Sequence, residues 1–300
     1  MKYKSIFKLC LLTTFLSVAT ISCDDWTEME IHDSQVNGFK EQNPQEYAAY
    51  TQNLRAYKAT KHAVVYARLD NAPEVSTGEK DFLRALPDSI DIVTMRNADR
   101  LSEYDREDMK LVREDYGTKV LYYIDCTAKD KLNTSITSAV EAVRTGTFDG
   151  LALGSEGSAV DVSALKSLLD ALGQTPCLLV FEGTPSLLPE GQRSLFNYFV
   201  LDISAASDEY DIETSVFYAT GYGKAAPDRL LLAVTPDGTL TDYNGVTRNA
   251  IAGAAYGALN METPLGGIAI YNISTDYYDT DIIYKQTRGG IQFLNPASAH

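Results

Sequence analysis

The sequence predicts an α/β fold, a (β/α)8 TIM barrel with one extra helix in front of it, carried behind an export leader and a tether. Three observations predict it. Eight short runs rich in β-branched and aromatic residues alternate with helical patterns. The alternation fills about 240 residues, the usual size of one such barrel. No G-x-G-x-x-G or G-x-x-x-x-G-K-[ST] follows the first run, so a doubly wound open sheet has no support. The expected boundaries are residues 1–22 for the leader, 23–42 for an acidic tether and 43–300 for the barrel domain.

The leader is read first. Lys2, Lys4 and Lys8 make a basic start, and residues 6–21 are mostly apolar. That stretch is short for a membrane span and right for a signal peptide. It ends on Thr20-Ile21-Ser22-Cys23, which resembles a bacterial lipobox with Thr20 in place of the usual leucine. The resemblance implies lipidation of Cys23, which would then be the mature N-terminus; the alternative is an ordinary cleaved signal with Cys23 incidental. Asp24 and Asp25 resemble the surface-export signal of Bacteroides-type lipoproteins. The expected location is therefore the outer membrane, lipid-anchored, at the cell surface. Several acyl chains anchor far better than one, at about 0.8 kcal/mol per buried CH₂.

The tether is polar and acidic and holds the single Trp, Trp26, which reads as an exposed tether residue. Asn43-Pro44 then reads as a helix N-cap followed by proline at the first helical position. Tyr47, Tyr50, Leu54 and Tyr57 recur at helical spacing, so a helix is expected over 43–58, packed outside the barrel. The strands are expected at 63–67, 90–95, 119–125, 150–153, 177–182, 198–203, 230–235 and 267–272. Helices are expected between and after them at 78–85, 105–116, 133–145, 163–172, 191–195, 208–222, 246–259 and 280–291.

Composition narrows the function. The apolar fraction of 45% argues against disorder. The formal charge is −15, and loss of the three leader lysines makes the mature chain more acidic still. A nucleic-acid partner is not expected, because phosphate binding needs clustered Lys and Arg. Cys126 and Cys177 belong to no Cys-x-x-Cys pair, and His32, His62 and His300 are scattered, so neither a metal nor another cofactor is expected. Both cysteines lie in apolar runs and read as buried thiols, with a disulfide as the alternative.

Function in such barrels sits at the C-terminal ends of the strands. Those ends carry Tyr66, Arg68 and Asp70; Met95, Arg96 and Asn97; Asp125; Glu156; Glu182; Asp202 and Ser204; Thr235 and Asp237; and Tyr271 and Asn272. Carboxylates, amides and aromatic rings together suit a sugar, although any barrel rim has a similar mixture. The fourth strand is more specific. It reads Phe148-Asp149-Gly150-Leu151-Ala152-Leu153-Gly154-Ser155-Glu156. This resembles glycoside hydrolase family 18, the chitinases and endo-β-N-acetylglucosaminidases, whose motif is D-G-x-D-x-D-x-E. Asp149, Gly150 and Glu156 match; Ala152 and Gly154 stand at the two middle aspartates. The eighth strand, Gly266-Gly267-Ile268-Ala269-Ile270-Tyr271-Asn272, is similar to the family's last strand. Leu54-Arg55-Ala56-Tyr57-Lys58 looks like the family-18-like lipoproteins of Bacteroides glycan-utilisation systems.

The departures bear on chemistry. Side chains alternate along a strand, so Ala152, Gly154 and Glu156 are expected on one face, pointing into the barrel, with Leu151 and Leu153 on the other. The resemblance implies that an active member carries a ladder of carboxylates there. Its terminal Glu protonates the leaving oxygen, and the Asp two residues earlier holds the 2-acetamido group that attacks the anomeric carbon. Gly154 cannot do that, and two small residues are expected to leave space beneath a bound sugar. Strand six reads Asp202-Ile203-Ser204 and lacks the family's tyrosine; Asp202 as a relocated carboxylate is the alternative.

The resemblance therefore implies a catalytically degenerate barrel that captures glycans or glycoproteins containing N-acetylglucosamine. An outer-membrane glycan transporter complex is its expected neighbour. The expected binders are Tyr66, Asp125, Glu156, Glu182, Asp202, Tyr271 and Asn272, with Tyr277 and Tyr278 as further stacking candidates. The competing readings are an active hydrolase with Glu156 as general acid, and a structural lipoprotein without a sugar ligand.

Overall fold

A computed structural model describes residues 39–72 and 76–296. The leader, Cys23, Trp26 and the tether as far as residue 38 lie outside the described residues, as does His300. Two compact units divide the chain, residues 1–48 and 49–300. The described part of the first holds α1 (Phe39–Gln42) and the start of α2 (Pro44–Lys58). The second helix therefore begins at the expected proline, whose fixed φ suits the first helical turn. Residues 39–42, expected as tether, are helical.

The second unit is the barrel. Its strands are β1 (Val64–Leu69), β2 (Ile92–Met95), β3 (Lys119–Asp125), β4 (Gly150–Gly154), β5 (Leu178–Glu182), β6 (Tyr198–Asp202), β7 (Leu230–Val234) and, after a hairpin of β8 (Thr239–Thr241) and β9 (Thr247–Asn249), β10 (Gly267–Ile270). The eight barrel strands are parallel, each pairs with the next in chain order, and β1 pairs with β10 to close the ring. This is the expected (β/α)8 barrel. The outer helices are α3 (Glu103–Glu114), α4 (Lys129–Arg144), α5 (Val162–Leu172), α6 (Glu209–Gly221), α7 (Ala250–Asn260) and α8 (Lys285–Leu294).

Period-two alternation builds two separate cores. Val65, Ala67 and Leu69 of β1, with Leu151 and Leu153 of β4, face the helices and join the large outer core. Val64, Tyr66, Leu121, Tyr123, Ala152, Val180, Val200, Leu231 and Ala269 fill the barrel interior. The interior is thus packed solid rather than left as a pore. Side-chain caps set the starts of four helices. Ser102 and Asp105 form a reciprocal capping box on α3, while Asp161, Asp208 and Asn249 each accept a backbone N–H at the head of α5, α6 and α7.

Four expected helices change form. Residues 78–85 make two short 3-10 turns, Glu79–Asp81 and Leu83–Ala85, because Phe82 between them is extended. Residues 191–195 belong to a 3-10 turn over Glu190–Leu195, so β5 and β6 are joined without an α-helix. The span 246–259 is a helix only from Ala250, because residues 247–249 pair back on β8. The Asp242-Tyr243-Asn244-Gly245 turn explains it: the Asp242 carboxylate accepts from the N–H groups of Asn244 and Val246 and from Arg248. The last helix starts at Lys285 rather than 280.

The N-terminal end of the barrel is a fastening. Lys58 Nζ donates to the carbonyls of Asp88 and Ile90, each at 2.6 Å, and to Thr118 Oγ1 at 2.8 Å. Burial lowers the Lys58 amine to about 8. The Asp91 carboxylate accepts from Val65 N at 2.8 Å and pairs with His62 Nε2 at 2.9 Å. Asn295 exchanges two hydrogen bonds with the Ala63 backbone and so ties the end of α8 to the start of β1.

Candidate functional site

The inward-facing positions at the C-terminal strand ends enclose a cleft of about 460 Å³. Its floor comes from Arg68 of β1, Tyr123 of β3, Glu182 of β5 and Tyr271 after β10. Glu182 is buried. It accepts from Tyr66 Oη at 2.5 Å and from Arg68 Nη1 at 3.1 Å. Thr94 Oγ1 hydrogen-bonds the same Tyr66 hydroxyl. The Arg68 guanidinium lies 3.7 Å from the centre of the Tyr271 ring. Burial pushes the Glu182 carboxyl up, while the Arg68 charge and the two hydrogen bonds pull it down. The floor is thus a paired and hydrogen-bonded ion pair spanning three strands.

Gly154 explains the fourth strand. A Cβ there would stand 2.0 Å from Tyr123 Oη and 2.6 Å from its Cζ. The aromatic side chain of β3 fills the volume that an aspartate at 154 would need. The expected space beneath a sugar at this position is therefore absent: Tyr123 occupies it, held from another side by the Arg96 guanidinium 4.7 Å from its ring centre.

Glu156 departs from the expected ladder. Ala152 and Gly154 do point inward, but β4 ends at Gly154. Ser158 N bonds back to Ser155 O, with Glu156 at φ 44° and Gly157 at φ 78° between them. Two consecutive left-handed residues make a tight turn that suits glycine at both places. Glu156 is therefore exposed on a turn rather than the third rung of the inward face. Its carboxylate has no hydrogen-bond or ion-pair partner among the described residues, and it lines the cleft. Asp202 lines it too, with Oδ1 already accepting from the Ser204 backbone N–H at 2.9 Å and from the Ser204 hydroxyl.

The other expected residues fall elsewhere. Tyr66 is fully buried under Glu182 and reaches the cleft only through that carboxylate. Asp125 is half-buried and accepts from Thr127 N and Oγ1, outside the cleft lining. Asn272 is exposed in a left-handed turn, also outside it. Tyr277 packs edge-on against the buried Tyr284, and Tyr278 is exposed; neither lines the cleft. Asp149 sits just before β4, where its carboxylate binds Arg113 Nε at 2.8 Å and Val120 N at 3.0 Å. Its role is therefore structural. Arg68 stood among the strand-end residues without being singled out, and Tyr123 was missed. Tyr123 lies two residues before Asp125 on the inward face of β3, which is the signal that marks it.

Cys126 and Cys177 are free thiols. Burial raises both, Cys126 to about 12. Among the described residues no group of three His, Cys, Asp or Glu side chains is placed to hold a metal. No described helix is long and apolar enough to cross a membrane.

A parallel eight-stranded barrel with a polar cleft over its C-terminal strand ends defines a class within which the comparisons fall. The family model "glycoside hydrolase family 18, BT1044-like" matches residues 27–152. Over that stretch the chain is similar to glycoside hydrolase family 18. A solved structure of a BT1044 Glu-to-Gln variant superposes with a TM-score of 0.71 at 18% identity, over 86% of this chain and 95% of that one. An endo-β-N-acetylglucosaminidase from Cordyceps militaris gives 0.59 at 16%, over 83% and 96%. A chitinase from Bacteroides thetaiotaomicron gives 0.51 at 14%, over 80% and 98%. At these identities the structural likeness shows the fold. No curated protein matches the chain.

Proposed function

We propose that the chain is a cell-surface glycan-binding lipoprotein on a catalytically degenerate family 18 barrel, capturing glycans that contain N-acetylglucosamine. The observation that carries the reading is the filling of position 154 by Tyr123. The cleft keeps carboxylates, hydroxyls and aromatic rings for a sugar. The neighbour two residues before Glu156, which would stabilise developing positive charge, is glycine, and no aspartate fits there with Tyr123 in place. Such electrostatic stabilisation is often the largest single contribution to catalysis. General acid catalysis by Glu156 alone is worth about 10²–10⁴-fold. An acid also needs its proton at working pH, which burial commonly provides. Glu156 is exposed.

Capture at the outer membrane through lipidated Cys23, beside a glycan transporter, fits the leader and the acidic Asp24-Asp25 pair. The second reading, an active endo-β-N-acetylglucosaminidase or chitinase, is favoured by one fact: Glu156 lines the cleft, and its carboxylate has no partner among the described residues. The test compares wild type with Glu156→Gln on an N-glycoprotein at long incubation, alongside a glycan array. Binding without release supports capture. Release by wild type but not by the variant makes Glu156 a working acid and overturns it. Neither binding nor release leaves a structural lipoprotein.

A further inference from the structure

A stripe of like charges is unfavourable on a helix, because side chains three or four residues apart are neighbours. α3 carries such a stripe in Arg106, Lys110 and Arg113, at i, i+4 and i+7. The fold accounts for Arg113, which bonds Asp149 and the carbonyls of Gly146 and Thr147. It does not account for the other two. Arg106 and Lys110 are exposed, with no side-chain hydrogen-bond or ion-pair partner among the described residues. All three line a groove of about 530 Å³, which Lys119 at the start of β3 completes. The lining sets these four cations against Glu114 and Asp149. Asp149 is already held by Arg113 at 2.8 Å and Lys119 at 3.8 Å. Glu103 and Glu107 share the helix but lie outside the groove lining. The groove therefore has a positive excess in a chain whose formal charge is −15.

Its place in the fold gives that excess a direction. Lys119 and Asp149 put the groove at the N-terminal strand ends. The chain arrives at the same end. The barrel unit begins at Ala49, within α2, and Arg55 of that helix donates to the carbonyls of Asp115 at 2.6 Å and Glu114 at 3.3 Å, where α3 closes. The opposite strand ends carry the cleft, whose lining sets Glu156, Glu182 and Asp202 against Arg68. An anionic surface attracts the first end and repels the second.

We propose that the groove of Arg106, Lys110 and Lys119 docks the barrel on the phosphate groups of an anionic lipid surface, with the cleft turned away from it. The inference rests on the lipid anchor at Cys23 and goes beyond the glycan-binding reading, because it assigns an orientation. The anchor brings the barrel to the surface, and the groove chooses which end meets it. Each basic side chain close to such a surface is worth about fivefold in association. Arg113 stays with Asp149 and supports the groove wall.

The test places the lipidated protein in nanodiscs of phosphatidylglycerol or of phosphatidylcholine. Mass spectrometry then follows acetylation of Lys110 and Lys119, with the exposed Lys166 of α5 as internal reference. In phosphatidylglycerol both lysines are expected to react about fivefold more slowly than in phosphatidylcholine, and high salt is expected to remove the difference. Arg106→Gln is expected to lose most of the Lys119 protection while melting at the same or a slightly higher temperature, since a like-charge neighbour has gone. Equal labelling in the two lipids overturns the docking. Full protection of Lys119 in Arg106→Gln overturns the assignment to this groove. Equal protection by millimolar inorganic phosphate in phosphatidylcholine discs would make it a free-anion site and overturn the membrane assignment. The mass of the mature N-terminus reads the anchor separately. Cys23 without acyl chains fails the anchor reading, and the docking falls with it; acylated Cys23 with unprotected lysines fails the docking alone.

Discussion

At the residue scale, the cleft floor is governed by two adjacencies. Glu182 and Arg68 form a buried pair, and breaking such a pair by removing one partner typically costs about 3–5 kcal/mol, because the other charge is left in low dielectric. Arg68→Met is therefore expected to destabilise by about that amount in urea denaturation, and the double change with Glu182→Leu to recover much of it. The second adjacency is Tyr123 against Gly154. Gly154→Asp is expected to cost about 1–3 kcal/mol through overpacking and to produce no gain in glycan release. In the double variant with Tyr123→Ala, the loss should be smaller than the sum of the single losses by about 1 kcal/mol or more. Strict additivity would mean that the two side chains do not compete for one volume. Glu156, at φ 44°, carries backbone strain of about 1 kcal/mol for a non-glycine residue. That turn conformation places the residue at the cleft mouth rather than inside the barrel.

At the element scale, the two ends of the strands divide the work. The N-terminal ends hold the barrel together through Lys58, Asp91, Asp149 and Asn295, each bonded to backbone groups of neighbouring elements, and through His62, which pairs with the Asp91 carboxylate. Asp149 matches the first residue of the family motif, yet it ties α3 to β3 through Arg113 and Val120. Asp149→Ala is expected to lower stability by about 1.5–3 kcal/mol, the range for a hydrogen bond to a charged group. Glycan affinity of the folded variant should stay unchanged; a lost affinity would place Asp149 in the binding machinery. The His62–Asp91 pair adds a pH dependence. The hydrogen bond to Asp91 raises the His62 imidazole above its usual value, against the opposing effect of burial. A raised folded value means that its stabilisation is fully present below the unfolded value and is lost as pH rises through the folded one. Wild type is thus expected to lose stability as pH rises above the ordinary imidazole value of about 6.5, and His62→Asn to lose less over the same rise. Parallel pH profiles for the two proteins would remove His62 from the account.

At the scale of the whole molecule, a closed barrel leaves no sheet edge and places every strand end around one rim. The rim can then change chemistry while the outer core of aliphatic side chains stays intact. Under the glycan-capture proposal, a chain with this barrel fold in which Tyr123 fills position 154 is one outcome of that separation. The proposed delivery to the membrane would be a property of the leader. Cys23→Ala is expected to move the protein out of the membrane fraction, and protease added to intact cells is expected to reach the wild type. An unchanged membrane fraction would end the lipid-anchor proposal.

The sequence by itself determined the barrel, because period-two and period-3.6 patterns are local and repeat eight times. Every barrel strand lies within two residues of its expected range, and Leu151 and Leu153 face the helices as alternation requires. It also determined that position 154 carries no acid. Local pattern failed where a turn or a neighbour decided the outcome. The Asp242 turn converted the start of an expected helix into β9, and the left-handed pair Glu156-Gly157 took the expected third rung off the inward face. The cleft floor depended on tertiary structure alone. Arg68, Tyr123, Glu182 and Tyr271 come from four different parts of the chain, and only closure of the ring brings them into contact. Which of them pair and which is stacked are consequences of distances between strands, and no periodicity along one strand encodes those distances.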